Sequence, residues 1–152
     1  MGADQDLIAA ILEGDSALVE TALAAGANPD HEIDGNLKHL YHDEVPALAL
    51  AAWKGQLDIV TALLDAGARV DATCTDYYTP PFRDEDIAHG AASALDVAAG
   101  RGHLPIVALL LSRGSSPGYT KSVCCAAKGG HLPVVQDLLA AGASPSLTDD
   151  NA

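Results

Sequence analysis

Basic residues, aromatics and cysteines are scarce in this chain, and no long apolar run is present. Eight Lys and Arg stand against 21 Asp and Glu in 152 residues, a formal net charge of −13. Phosphate backbones are bound by a basic stripe that releases counterions, and anionic membrane surfaces attract clustered cations. Neither nucleic acid nor a membrane is therefore an expected partner. The three cysteines are Cys74, Cys124 and Cys125. An odd number with two adjacent argues against a disulfide framework and for a reducing compartment. The apolar run at residues 7–12 is too short for a signal segment or a span, and no basic segment precedes it. The expectation is a cytoplasmic protein, with the nucleus left open, and not a secreted one. Phosphate loops, nucleophile elbows and nucleotide fingerprints are absent, so no cofactor is expected.

What the chain does have is small apolar residues. Hydrophobic residues make up 49% of the chain, yet only six are aromatic. A core of Ala, Leu and Val suits thin, closely packed helices better than a thick sandwich. The length fits one domain.

Four segments of the chain also repeat one another. Leu48-Ala49-Leu50-Ala51-Ala52-Trp53-Lys54-Gly55 matches Leu95-Asp96-Val97-Ala98-Ala99-Gly100-Arg101-Gly102 and Val123-Cys124-Cys125-Ala126-Ala127-Lys128-Gly129-Gly130, and a weaker copy ends at Gly14. Within each unit two glycines stand 12 residues apart: 14 and 26, 55 and 67, 102 and 114, 130 and 142. The pattern predicts two short antiparallel helices per unit. The first glycine closes helix A, and a positive φ there satisfies the end carbonyls. Helix B then carries apolar residues at helical spacing, such as Leu57, Val60, Leu63 and Leu64. Pro105 and Pro133 fall near the start of helix B, where a missing N–H costs little. Neither helix can bury its apolar stripe alone, so the units must stack.

These residues resemble the ankyrin repeat. Gly102-His103-Leu104-Pro105-Ile106-Val107 and Gly130-His131-Leu132-Pro133-Val134-Val135 are similar to the family's Gly-His-Leu entry into helix B, and residues 63–68 and 138–143 to its Leu-Leu-x-x-Gly-Ala ending. The resemblance implies an all-α ankyrin-repeat solenoid of four helix-turn-helix repeats with long hairpin-like finger loops. It covers nearly the whole chain as a single domain, with repeats at about 5–30, 45–71, 92–117 and 120–145 and long fingers at 30–44 and 72–91. It also implies protein binding through fingers and inner helices. One departure stands out: the family's Thr-Pro-Leu-His opening is degenerate, and its His position holds Ile8, Ala49, Asp96 and Cys124. No further helix is expected after Gly142. The last repeat is then left with apolar surface for polar capping, fraying or pairing of uncapped end repeats in a homo-oligomer to cover.

The family period of about 33 residues leaves about 21 between the second glycine of one unit and the first of the next. Here those spans are 29 (26 to 55), 35 (67 to 102) and 16 (114 to 130). Two fingers are enlarged, and long loops are often functional. Four of the six histidines and four of the six aromatics lie in them. Tyr41, Tyr77, Tyr78 and Phe82, with Trp53 at the end of a helix A, form a candidate set of binding anchors. Arg83, Arg101 and Lys128 are candidate polar contacts, with Arg101 and Lys128 on the inner face beside Trp53.

Two readings follow. In the first, a partner protein docks on the concave groove and the fingers. In the second, the fingers close over the groove around a small organic ligand, with acid–base chemistry of the isomerase, dehydratase or cyclase type. His39, His42 or His89 would then act as acid or base, with Asp34, Asp43, Asp86 or Asp96 orienting it. The sequence leaves catalysis itself undecided. His39, His42 and Asp43 lack a fixed ligand spacing, so no metal site is expected. His103 and His131 are expected to be structural at the turn between helices, and Cys124 and Cys125 to be small core residues.

Overall fold

The structure, a computed structural model, describes residues 2–33, 45–74, 92–117 and 121–143. Those residues form four antiparallel helix pairs: α1 (Ala3–Glu13) with α2 (Ser16–Ala24), α3 (Ala47–Trp53) with α4 (Leu57–Asp65), α5 (Ala94–Gly100) with α6 (Leu104–Ser112), and α7 (Ser122–Lys128) with α8 (Leu132–Ala140). First helices pack on first helices and second on second: α5 lies between α3 and α7, while α2, α4, α6 and α8 form the outer layer. No helix among the described residues is long and apolar enough to cross a membrane.

Small side chains permit this close stacking. Ala47, Ala49, Ala51, Ala52, Ala94, Ala98, Ala99 and Ala126 are fully buried, so neighbouring backbones approach closely. The larger buried residues come from both layers: Leu7, Ile11, Leu50 and Leu95 from first helices, and Ile59, Leu63, Ile106, Leu110 and Leu138 from the inward stripe of second helices. Burying each of these leucines or isoleucines stabilises the stack by about 1.5–3 kcal/mol.

The eight glycines picked out by their spacing all have positive φ, from 73° to 98°. Each ends a helix, as the repeat pattern requires. Between helices A and B the chain turns in a few residues, and each turn reaches back to the preceding repeat. Gln56 Nε2 donates to the Ile11 carbonyl at 2.9 Å. His103 Nε2 lies 3.3 Å from the Trp53 carbonyl and His131 Nε2 lies 3.1 Å from the Gly100 carbonyl. A carbonyl only accepts, so each of these ring nitrogens carries the proton. The expected structural role of the two histidines is what the structure displays.

The opposite edge holds the fingers. Their bases are two short antiparallel pairs, β1 (Glu32–Ile33) with β2 (Val45–Pro46) and β3 (Thr73–Cys74) with β4 (Ala92–Ser93). Three aspartates fix their spacing, Asp4 in α1 and Asp30 and Asp71 beyond the second helices of repeats one and two. Asp4 accepts from Asn28 N at 2.6 Å, Asp30 from Arg69 N at 2.7 Å, and Asp71 from Ser115 Oγ and Ser116 N at 3.2 and 3.4 Å. Asp30 and Asp71 each stand four residues after a helix-ending glycine, a recurrence visible in the sequence.

Candidate functional site

The inner face of the stack centres on Trp53. It is the last residue of α3, and its ring is half-buried against the core. The Arg101 guanidinium, at the end of α5, lies over the ring with its carbon 4.7 Å from the centroid. A cation over an indole contributes about 0.5–1 kcal/mol at a partly exposed site. The same tryptophan offers its carbonyl to His103. Repeat three therefore holds Trp53 twice, by ring and by backbone. Trp53 thus packs partly against the helix core while its ring meets Arg101. Lys128, the last residue of α7, is exposed at the same position in repeat four, and Lys54 is exposed directly after Trp53.

Burial pushes His103 below its ordinary value of 6.5. Its bond to the Trp53 carbonyl opposes that shift, while Arg101 and His131 reinforce it. The ring is held neutral, in keeping with a bridging role rather than with proton transfer.

Asp96 was a candidate orienting carboxylate, and the structure places it in a capping box. Ser93 precedes α5, its Oγ accepts from Asp96 N at 3.3 Å, and Asp96 Oδ2 accepts from Ser93 N at 2.9 Å and from Ser93 Oγ at 3.1 Å. Only 2% of Asp96 is exposed. A carboxylate so buried is held in place by these donors. The sequence carried a signal for this, since Ser-x-x-Asp before an apolar run marks a capping box, and it occupies the place where the related pattern has Thr-Pro-Leu-His.

The other finger candidates, namely His39, His42, His89, Asp34, Asp43, Asp86, Tyr41, Tyr77, Tyr78, Phe82 and Arg83, lie outside the described residues. Among the described residues no three His, Cys, Asp or Glu side chains gather as metal ligands. Cys125 is buried and Cys124 half-buried, as expected of small core residues. One histidine that the sequence reading had left without a role, His31, stands 3.8 Å from Asp4 and ties the base of the first finger to α1. That contact joins residues 27 positions apart, and no local pattern announces it.

The comparisons with known proteins bear on the fold. A family model described as ankyrin repeats, in three copies, matches residues 7–121, and one described as an ankyrin repeat matches residues 123–150. No curated protein matches the chain.

Proposed function

The chain belongs to the ankyrin-repeat family, and from that premise we propose that it binds a partner protein through its concave groove and its two long fingers. Ankyrin repeats are generally protein-interaction modules. The observation that carries the reading for this chain is Trp53, a half-buried indole on the inner face with the Arg101 guanidinium laid over it. Aromatic and arginine side chains of this kind, positioned before a partner arrives, contribute most of the energy at interfaces. Tyr41, Tyr77, Tyr78 and Phe82 extend this set along the fingers, and the acidic finger residues favour a basic or polar partner.

Affinity capture with the full chain tests the proposal. A Tyr77→Ser/Tyr78→Ser variant and an Arg101→Ala variant are each expected to weaken capture of the bound partner at least about tenfold, as loss of an anchor does. Capture unchanged in both variants would remove the groove and fingers as the binding surface.

A further inference from the structure

We propose that the chain stacks head to tail on copies of itself, with the first repeat of one copy seated on the last repeat of the next. Inside the stack, the back of each repeat is covered by the front of the repeat that follows. Equivalent positions, counted from the glycine that ends each first helix, show which side chains form the two faces. Ile11, Ala52 and Ala99 are buried, whereas Ala127 in repeat four is exposed. Val19, Val60 and Val107 are buried, whereas Val135 is half-buried. Leu64 is buried, and its counterpart Leu139 is 41% exposed. The back of repeat four is thus an apolar face with no repeat upon it among the described residues. The front of repeat one is its counterpart. Ile59, Ile106 and Val134 are buried, while Leu18, at that place in repeat one, is 48% exposed. What covers the back of repeats one to three is a repeat front, and among the described residues the uncovered front belongs to repeat one of another copy.

The turn shows the same open seat. A Cβ on Gly55 would meet the His103 ring and one on Gly102 the His131 ring, whereas one on Gly130 would meet no described atom within 4 Å. In repeat one the place of Gln56, His103 and His131 is held by Asp15. Its carboxylate accepts from Ala17 N and Leu18 N at 3.0 and 3.1 Å. A carboxylate cannot donate to a carbonyl as those three side chains do, so what Asp15 brings to the seat is negative charge. Lys128, exposed two residues before Gly130, offers the opposite charge there.

The order of the ends follows from charge. Residues 1–29 hold five carboxylates and no Lys or Arg, and residues 97–136 hold four Lys or Arg and no carboxylate. Unlike ends attract and like ends repel, which selects front on back over two backs together. Such a contact is heterologous, so it builds open chains of copies and does not stop at a dimer. It leaves the fingers free and continues the groove from one copy into the next, so it does not depend on the groove reading.

Sedimentation velocity on the full chain tests this. One repeat face is small, so the weight-average mass of wild type is expected to rise without a dimer plateau only at high micromolar concentration, and to rise less as salt increases. Leu18→Glu spoils the front and Leu139→Glu the back, both at exposed positions outside the core. Each variant alone is expected to remain monomeric. Mixed in equal amounts they are expected to form a one-to-one dimer and nothing larger, because one sound front and one sound back remain. The Tyr77→Ser/Tyr78→Ser variant is expected to associate like wild type, so failure here and failure of the groove reading are told apart. Wild type that stays monomeric at millimolar concentration would overturn the proposal, and so would a mixture that stays monomeric. Association of Leu18→Glu alone to a dimer would put two backs together and also overturn it.

Discussion

On the turn edge of the stack, paired glycines stand 12 residues apart in all four repeats, and Gln56, His103 and His131 each reach a carbonyl of the preceding repeat. On the finger edge, the spans between helix-ending glycines are 29, 35 and 16 residues. The first edge sets how repeats stack, so its length cannot vary. The second needs only a regular base, which Asp4, Asp30 and Asp71 provide. Beyond that base, chain length carries a small entropic cost, which grows only as the logarithm of loop length. Insertions therefore gather on the finger edge, where a partner surface can be built without disturbing the core.

Substitutions on the two edges should separate accordingly. The largest effect is expected from Gly102→Ala on the turn edge. Its φ is +73°, and an added Cβ would stand 2.5 Å from the His131 ring, so backbone strain and a clash combine. A loss of about 2–3 kcal/mol is expected by urea denaturation. A loss below half a kilocalorie would mean that the turn edge is looser than described.

Next comes Asp96→Ala, which sharpens the comparison because this finger-edge residue is buried. Removing the carboxylate leaves Ser93 N and Oγ without their acceptor. The expected cost is about 2 kcal/mol by the same measurement, with Asp96→Asn recovering part of it. Asp30→Ala, at a half-buried place on the same edge, loses its bond from Arg69 N and its 3.5 Å contact with Arg69 Nε. It is expected to cost about 0.5–1 kcal/mol, as a solvated polar contact does.

The smallest effect concerns pH. His103 binds its proton less readily when folded than at its ordinary value of 6.5. The unfolded chain therefore takes up more protons as pH falls from that value, and stability is lost on acidification toward the folded value. Urea midpoints measured between neutral pH and pH 5 are expected to drop less in His103→Gln than in wild type. Gln56 performs the equivalent reach in repeat two without titrating. Equal slopes in the two proteins would show that another group governs this window.

Much of the stack was legible in the sequence because its rules are local and repeated. Glycine spacing announced the helix ends, and Pro105 and Pro133 announced helix starts near Leu104 and Leu132. The aspartate ladder was equally periodic, at Asp30 and Asp71, and went unread. Ser93 and Asp96 carry a capping signature in the sequence as well, and the structure gives Asp96 that hydrogen-bonded place. What no local pattern carried was the stacking of Arg101 on Trp53, which joins side chains 48 positions apart through the packing of two repeats. The candidates inside the fingers rest on composition and spacing alone, because no repeat rule governs an insertion.

The comparison is tested most directly by calorimetric melting of two insertion variants. One carries two glycines after Gly102 and the other carries two glycines after Tyr78. The turn insertion breaks the reach of His103 to Trp53 and displaces α6, so its midpoint is expected to fall by at least about 10 °C. The finger insertion is expected to shift it by about 2 °C or less, the cost of a slightly longer loop. Equal losses in the two variants would contradict the division between an edge that fixes the stack and an edge free to serve binding.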